Sequence, residues 1–157
     1  MTDMIVCGID PGQKGAAVFL NMDTGGVVEM HPWDCLEAYI ESFDRWRPHA
    51  SFIEKAQAMP KQGVSSMFTY GEHFGMLQGA MITLALRHEL VPPRAWTKVM
   101  HAGTKTADAK SRSLEAARRW FPQVNLLATE RSKVPHEGLI DALLIAEFGR
   151  RKLKGKS

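Results

Sequence analysis

Three carboxylates interrupt patterns that would otherwise be apolar. Asp10 closes the run MIVCGI and is followed by Pro11-Gly12, Glu54 closes the run SFI, and Asp141 lies inside HEGLIDALLIA, four residues after Glu137. Singly, each has an ordinary explanation. Aspartate suits the first position of a turn, an acid after a strand can be a solvated end, and a helical acid can pair with a base such as Lys133 or Arg131. As a set they ask for more. An unpaired acid on a half-buried helix is costly, and a second acid four residues away on the same face adds repulsion. If the strands ending in Asp10 and Glu54 are parallel neighbours, those two carboxylates emerge side by side and repel as well. A cation relieves all of this. Oxygen-only donors select hard ions, Mg²⁺ or Mn²⁺. Two such ions about 3.5–4 Å apart activate water and stabilise the leaving oxygen in phosphodiester cleavage. Asp10, Glu54 and Asp141 are therefore expected to form a divalent-metal site of nuclease type.

The elements that must hold these residues can be read from periodicity. Residues 4–9 and 51–54 are short buried strands, each ending at one of the acids. Residues 15–21 and 27–31 are two more strands, joined by the turn Asp23-Thr24-Gly25-Gly26. Residues 34–46 follow a helical pattern that Pro48 ends. Residues 55–64 read as a loop, and 65–88 as a long helix with Gly71, Gly75 and Gly79 on one stripe. Three glycines there, each costing roughly 1 kcal/mol against alanine, suggest close backbone packing. The default surface is the sheet, the alternative a second copy of the helix. Residues 89–91 and 94–97, around Pro92-Pro93, read as an interrupted edge strand, followed by a polar loop over 98–106. A basic helix over 107–120, an irregular stretch over 123–135 and a final helix over 136–152 complete the chain. The order predicts one α/β domain spanning residues 1–157, with a mixed sheet and helices on both faces.

Composition narrows the classes. A chain of 157 residues suits one domain, and no apolar stretch approaches the roughly 20 residues that span a bilayer. The opening MTDMIVCGID lacks the marks of a signal peptide, so a cytoplasmic protein is expected. Cys7 and Cys35 read as thiols in a reducing compartment, and the six scattered histidines offer no zinc spacing. The net charge is +3, with basic residues crowded into 94–119 and into a tail over about 150–157. Such crowding is compatible with a polyanionic partner.

Four blocks in order resemble RuvC-type Holliday junction resolvases, which have a ribonuclease H-like fold. They are MIVCGIDPGQKGAAVF, FIEKAQAMPKQGVSSMFTYGEHFGMLQGAM, VPPRAWTK with DAKSRSLEAARRWFP, and HEGLIDALLIAEFGRR. Together they span nearly the whole chain. The resemblance implies a mixed five-stranded sheet, a homodimer, and cleavage of a four-way DNA junction with Mg²⁺ or Mn²⁺, two ions per site. It assigns catalytic and metal-binding roles to Asp10, Glu54 and Asp141. Many of these proteins carry a fourth acid three residues before the last aspartate, where this chain has Gly138. Some phage-type relatives carry it four before, which matches Glu137, with His136 as the alternative ligand or base. This departure and the chain size suggest a bacteriophage form, which would place the protein in the host cytoplasm.

The resemblance also bears on DNA contacts. Lys105 and Lys110 fall near the family's DNA-contacting lysines, and a lysine near the metals can stabilise charge developing on phosphate. The candidate contacts are Lys14, Lys61, Gln62, Lys98, Lys105, Lys110 and Arg112, with the basic tail expected to touch phosphate. The stretch from Lys55 to Pro60 lacks the aromatic wedge of several bacterial members. Met59 or Phe68 could replace it, with core packing as the alternative for both and the expected place of Phe68. Rival readings are a broader nuclease for flaps, forks or hybrids, and a branched-DNA-binding protein without catalysis.

Overall fold

Residues 3–55, 57 and 60–155 are described by the structure, a computed structural model. Met59 and Lys156 lie outside the described residues. The chain opens with β1 (Ile5–Asp10), β2 (Ala16–Asn21) and β3 (Val27–Pro32), then α1 (Leu36–Trp46) and β4 (Ala50–Glu54). It continues through α2 (Val64–Thr83), β5 (His88–Val91), α3 (Pro93–Met100), α4 (Ala109–Trp120) and α5 (Glu137–Leu153). The sheet order is β3-β2-β1-β4-β5. The first three strands form an antiparallel meander, while β4 runs parallel to β1 and β5 parallel to β4. The expected mixed five-stranded sheet is present.

Alternation along the strands sorts their side chains between two cores. Val6, Val18, Leu20, Ala50 and Phe52 face α3, α4 and α5, where Trp96, Met100, Leu139 and Leu143 meet them. Ile5, Cys7, Ile9, Phe19 and Ile53 face the other way, against Tyr39 and Phe43 of α1 and Leu77 and Met81 of α2. Helices therefore cover both faces, as expected. Gly8 is central to the first core. A Cβ there would overlap the Ala142 carbonyl and the Ala146 amide of α5, so the helix backbone rests directly on β1. No helix of the described residues is long and apolar enough to cross a membrane.

Several expectations are corrected. The interrupted edge strand over 94–97 is the helix α3. Pro93 stands at its first position, where a missing N–H costs nothing and a fixed φ helps. The polar loop consequently begins after Met100. The long helix stops at Thr83 rather than 88, because Ala85 turns the chain at φ 53° and His88 already belongs to β5. The glycine stripe does not pack on the sheet. A Cβ on Gly71, Gly75 or Gly79 would meet nothing within 4 Å, whereas the opposite side of α2 buries His73, Leu77, Ala80 and Met81. Phe68 is 68% exposed and not part of the core.

A candidate acidic active site

The same alternation that fills the core aims the acids. Asp10 shares the face of Val6 and Gly8, and Glu54 that of Ala50 and Phe52, which is the face α5 covers. The parallel register runs through Gly8–Phe52 and Ile9–Ile53, so Asp10 and Glu54 leave the sheet as neighbours. Above them begins α5, and Asp141 lies one turn in from its start.

Burial and mutual charge both act on these groups. Burial pushes the Asp10 carboxyl well above the usual range, and the charges of Asp141, Glu54 and Glu137 push it further. Burial likewise raises Glu54, against the opposing hydrogen bond from Trp96 and with a further push from Asp141. Asp141 is pushed up to about 6, by burial first; the Ser113 hydroxyl opposes this, Glu137 adds to it, and Lys110 offsets part. Among the described residues no ion pair reaches Asp10, Glu54 or Asp141. The pairing of Asp141 with Lys133 or Arg131 is not formed; Ser113 and Lys110 are its neighbours instead. Glu137 differs, being exposed and paired with Lys110 at 3.0 Å.

Gly138 stands where there is no room for a side chain. A Cβ at 138 would overlap the Lys14 carbonyl oxygen in the β1–β2 turn. No acid fits there, and Glu137, one residue earlier, stands clear. His136 also holds the helix start. Its Nδ1 accepts the Leu139 N–H at 3.1 Å and so caps the helix that carries Glu137 and Asp141.

Asp10, Glu137 and Asp141 line a cleft of about 770 Å³, together with Lys14, Gln62, Tyr70, Lys110 and His136. Glu54 lines a smaller adjoining cleft, and Gln62 and Tyr70 border both. Of the expected DNA contacts, Lys14, Gln62 and Lys110 thus line the cleft, and Lys110 pairs with Glu137. Lys61, Lys98, Lys105 and Arg112 do not line the cleft. The Lys105 amide is held by the Glu115 carboxylate at 3.1 Å, and Arg112 Nε donates to the Thr106 carbonyl at 2.8 Å, so both shape the loop before α4.

The tail is engaged elsewhere. Arg150 and Arg151 donate to the buried Glu147 at 2.7 and 2.8 Å, Lys152 pairs with Glu89, and Lys154 bonds the Asp23 carbonyl. These residues sit at the far end of α5, roughly 20 Å from its first turn at 1.5 Å per residue. Their described contacts secure the fold.

Four residues around the acids have no direct signature in the sequence. Trp96 donates its indole N–H to Glu54 Oε2 at 2.6 Å. Ser113 sits beside Asp141, and His101 Nε2 lies 2.9 Å from Ser113 Oγ. Tyr70 borders both clefts, its hydroxyl pushed upward by burial and then by Asp10 and Glu54. Pro93 at a helix start, with Trp96 and Met100 four apart, is the one signal that could have found Trp96, and it points only to a helix.

The donor set fits a hard cation in chemistry and in charge. It is all oxygen, and among the described residues three of its four acids lack a basic partner. The side chains do not converge on a single point. Among the described residues no three His, Cys, Asp or Glu side chains are gathered closely enough to hold an ion as they stand.

Comparisons place this geometry among known folds. No protein-family model matches the sequence, and no curated protein does. Solved structures do match. RuvC of Thermus thermophilus, in complex with a Holliday junction substrate, aligns with a TM-score of 0.67 at 19% identity, covering 98% of this chain and 97% of that one. A second structure of Thermus thermophilus RuvC aligns with 0.67 at 18% identity, covering 98% of each chain. The yeast mitochondrial Holliday junction resolvase aligns with 0.60 at 14% identity, covering 96% of this chain and 78% of that one. The chain has the RuvC fold, of the ribonuclease H-like kind, over nearly its full length.

Proposed function

We propose that this protein is a structure-selective endonuclease that resolves four-way DNA junctions by metal-dependent phosphodiester hydrolysis. The observation that carries the reading is the placing of Asp10, Glu137 and Asp141 at one cleft and of Glu54 at the adjoining one, from β1, β4 and α5, three of the four without a counter-cation among the described residues. Such a group is disfavoured in a folded protein unless something positive is meant to enter it. Thermus thermophilus RuvC, whose fold the chain shares, was solved with a Holliday junction substrate, and this supports branched DNA as the substrate class.

In this reading the four acids hold Mg²⁺ or Mn²⁺, two ions per site. Bound there, such ions neutralise the carboxylates, draw in a phosphate and make a water more acidic. The remaining work belongs to the chain. Lys110 and Lys14 face the cleft beside the acids and can donate to phosphate oxygens, Lys110 on release from Glu137. His136 and Gly138 fix the start of α5 and with it the spacing of Glu137 and Asp141.

The reading includes a homodimer, which would present two sites to a substrate that is itself roughly two-fold. The outer side of α2 supports it. Val64, Phe68, Met76 and Ile82 are exposed there beside the uncovered glycines. A contiguous exposed apolar face of this kind marks an interaction surface. Phe68 is also available as an apolar wedge at a junction.

The deciding experiment is cleavage of a synthetic four-way junction in Mg²⁺ or Mn²⁺ by the wild-type chain and by Asp10→Asn. A loss of at least about a thousandfold is expected, from removing an electrostatic and ligand role at once. Full retained cleavage would overturn the assignment. Equal cleavage of junctions, forks and hybrids would replace junction selectivity by a broader nuclease.

A further inference from the structure

Among the described residues, Glu54 is the one acid of the four with a dedicated hydrogen-bond donor of short length. The Trp96 indole N–H reaches its Oε2 at 2.6 Å, below the usual 2.9–3.0 Å for N–H···O. An indole nitrogen only donates, so the polarity of the bond is fixed. Trp96 itself cannot drift. It is 3% exposed, packed in the core under α5, and set edge-on against His101 with ring centres 5.6 Å apart. The same ring of His101 lies 2.9 Å from the Ser113 hydroxyl, beside Asp141. A rigid shell from α3, the following turn and α4 thus stands behind two of the acids.

We propose that Trp96 is a positioning residue: by binding Oε2 of Glu54 it turns this carboxylate so that Oε1 is left for a divalent cation. The inference rests on the reading of Glu54 as a cation ligand. Its physical basis is general. A ligand carboxylate with two free oxygens rotates, and fixing one of them reduces the entropy lost when the other binds. Outer donors of this kind typically contribute 10–100-fold to metal affinity.

Trp96→Phe tests it, since phenylalanine keeps most of the apolar packing and deletes the donor. Titration calorimetry with Mn²⁺ and no DNA should show binding weakened about tenfold relative to wild type. In a Glu54→Gln background the same change should cost no further affinity, because the residue acts through Glu54. A purely structural tryptophan would lower the melting temperature and leave Mn²⁺ affinity unchanged, and that result overturns the proposal. Failure of the wild-type chain to bind Mn²⁺ overturns the acidic-site reading and this inference with it, so the two failures are distinct. Should Trp96→Phe not fold, the wild-type chain supplies the second readout. Of its four tryptophan indole N–H resonances, the one displaced in Glu54→Gln should shift on Mg²⁺ titration. No indole response overturns the proposal.

Discussion

The two long helices of this protein both carry glycines, and they use them in opposite directions. In α5 the contact is inward: β1 has Gly8 under the helix, Gly138 touches the Lys14 carbonyl, and eleven helix residues are buried. In α2, Gly71, Gly75 and Gly79 face outward into open space, and four residues are buried. A glycine permits close approach without saying which surface approaches. Where the approach is made within the chain, at α5, it holds the acids of α5 against those of the sheet. Where it is not, at α2, an apolar face is left with room for another backbone.

The largest effect should come from breaking the inward contact. Gly8→Val places a side chain where two backbone atoms of α5 already stand. It should cost at least about 3 kcal/mol, through forced overpacking. Gly75→Val, in open space, should cost far less. Urea unfolding of the two variants checks this, and similar midpoints would erase the contrast between the helices.

A second prediction concerns what the tight seat of α5 does to its own acid. Asp141 holds its proton up to about pH 6 in the folded chain, while an unperturbed aspartate releases it near 3.9. The folded state therefore binds more protons across that window. Stability must fall as pH rises from about 4 to 6, and stay lower above it. The loss is up to about 3 kcal/mol at 1.36 kcal/mol per pKa unit. Melting curves without metal should show this decline. Asp141→Asn should make it shallower, the remainder coming from Asp10 and Glu54, whose carboxyls burial also raises, and a pH-independent wild type would contradict the burial of this carboxyl.

The smallest effects belong to α2. Gly75→Ala should raise monomer stability by about 0.5–1 kcal/mol, the ordinary gain for such a change in a helix. Gly75→Leu should obstruct a paired helix, and sedimentation should then show monomer where the wild type gives dimer. Unchanged association would remove α2 from the proposed interface.

How much of the fold and site is legible in the sequence follows from the range of each interaction. Asp10 and Glu54 can be recognised because the strands before them are short, apolar and abruptly ended. Asp141 can be recognised because it breaks an apolar helix. That Asp10 and Glu54 leave the sheet as neighbours follows from one assumption, that β1 and β4 run parallel side by side, and the register bears it out. The helix α3 is obscured because Pro92-Pro93 suits an interrupted edge strand as well as a helix start. With α3 hidden, the bond from Trp96 to Glu54, 42 residues away, has no route to discovery. The facing of the glycine stripe is equally hidden, since a spacing of four gives a side of the helix and not what lies opposite. The tail has contacts that its charge pattern does not reveal. Its charge pattern suggests phosphate, but Arg150 and Arg151 answer to Glu147, a local acid whose burial the sequence does not reveal.

The contact between Gly138 and the Lys14 carbonyl has a consequence for modularity. The turn after β1 and the first turn of α5 are complementary surfaces and must change as a unit. Moving the fourth acid from 137 to 138 is therefore not a one-residue slide, because the Lys14–Gly15 backbone would first have to retreat. Arrangements with the acid at one position or the other are separated by a coordinated rebuilding of two segments more than 120 residues apart. A graft exchanging only the helix start between two such proteins would bring a side chain into an occupied space, while a graft carrying both segments would not.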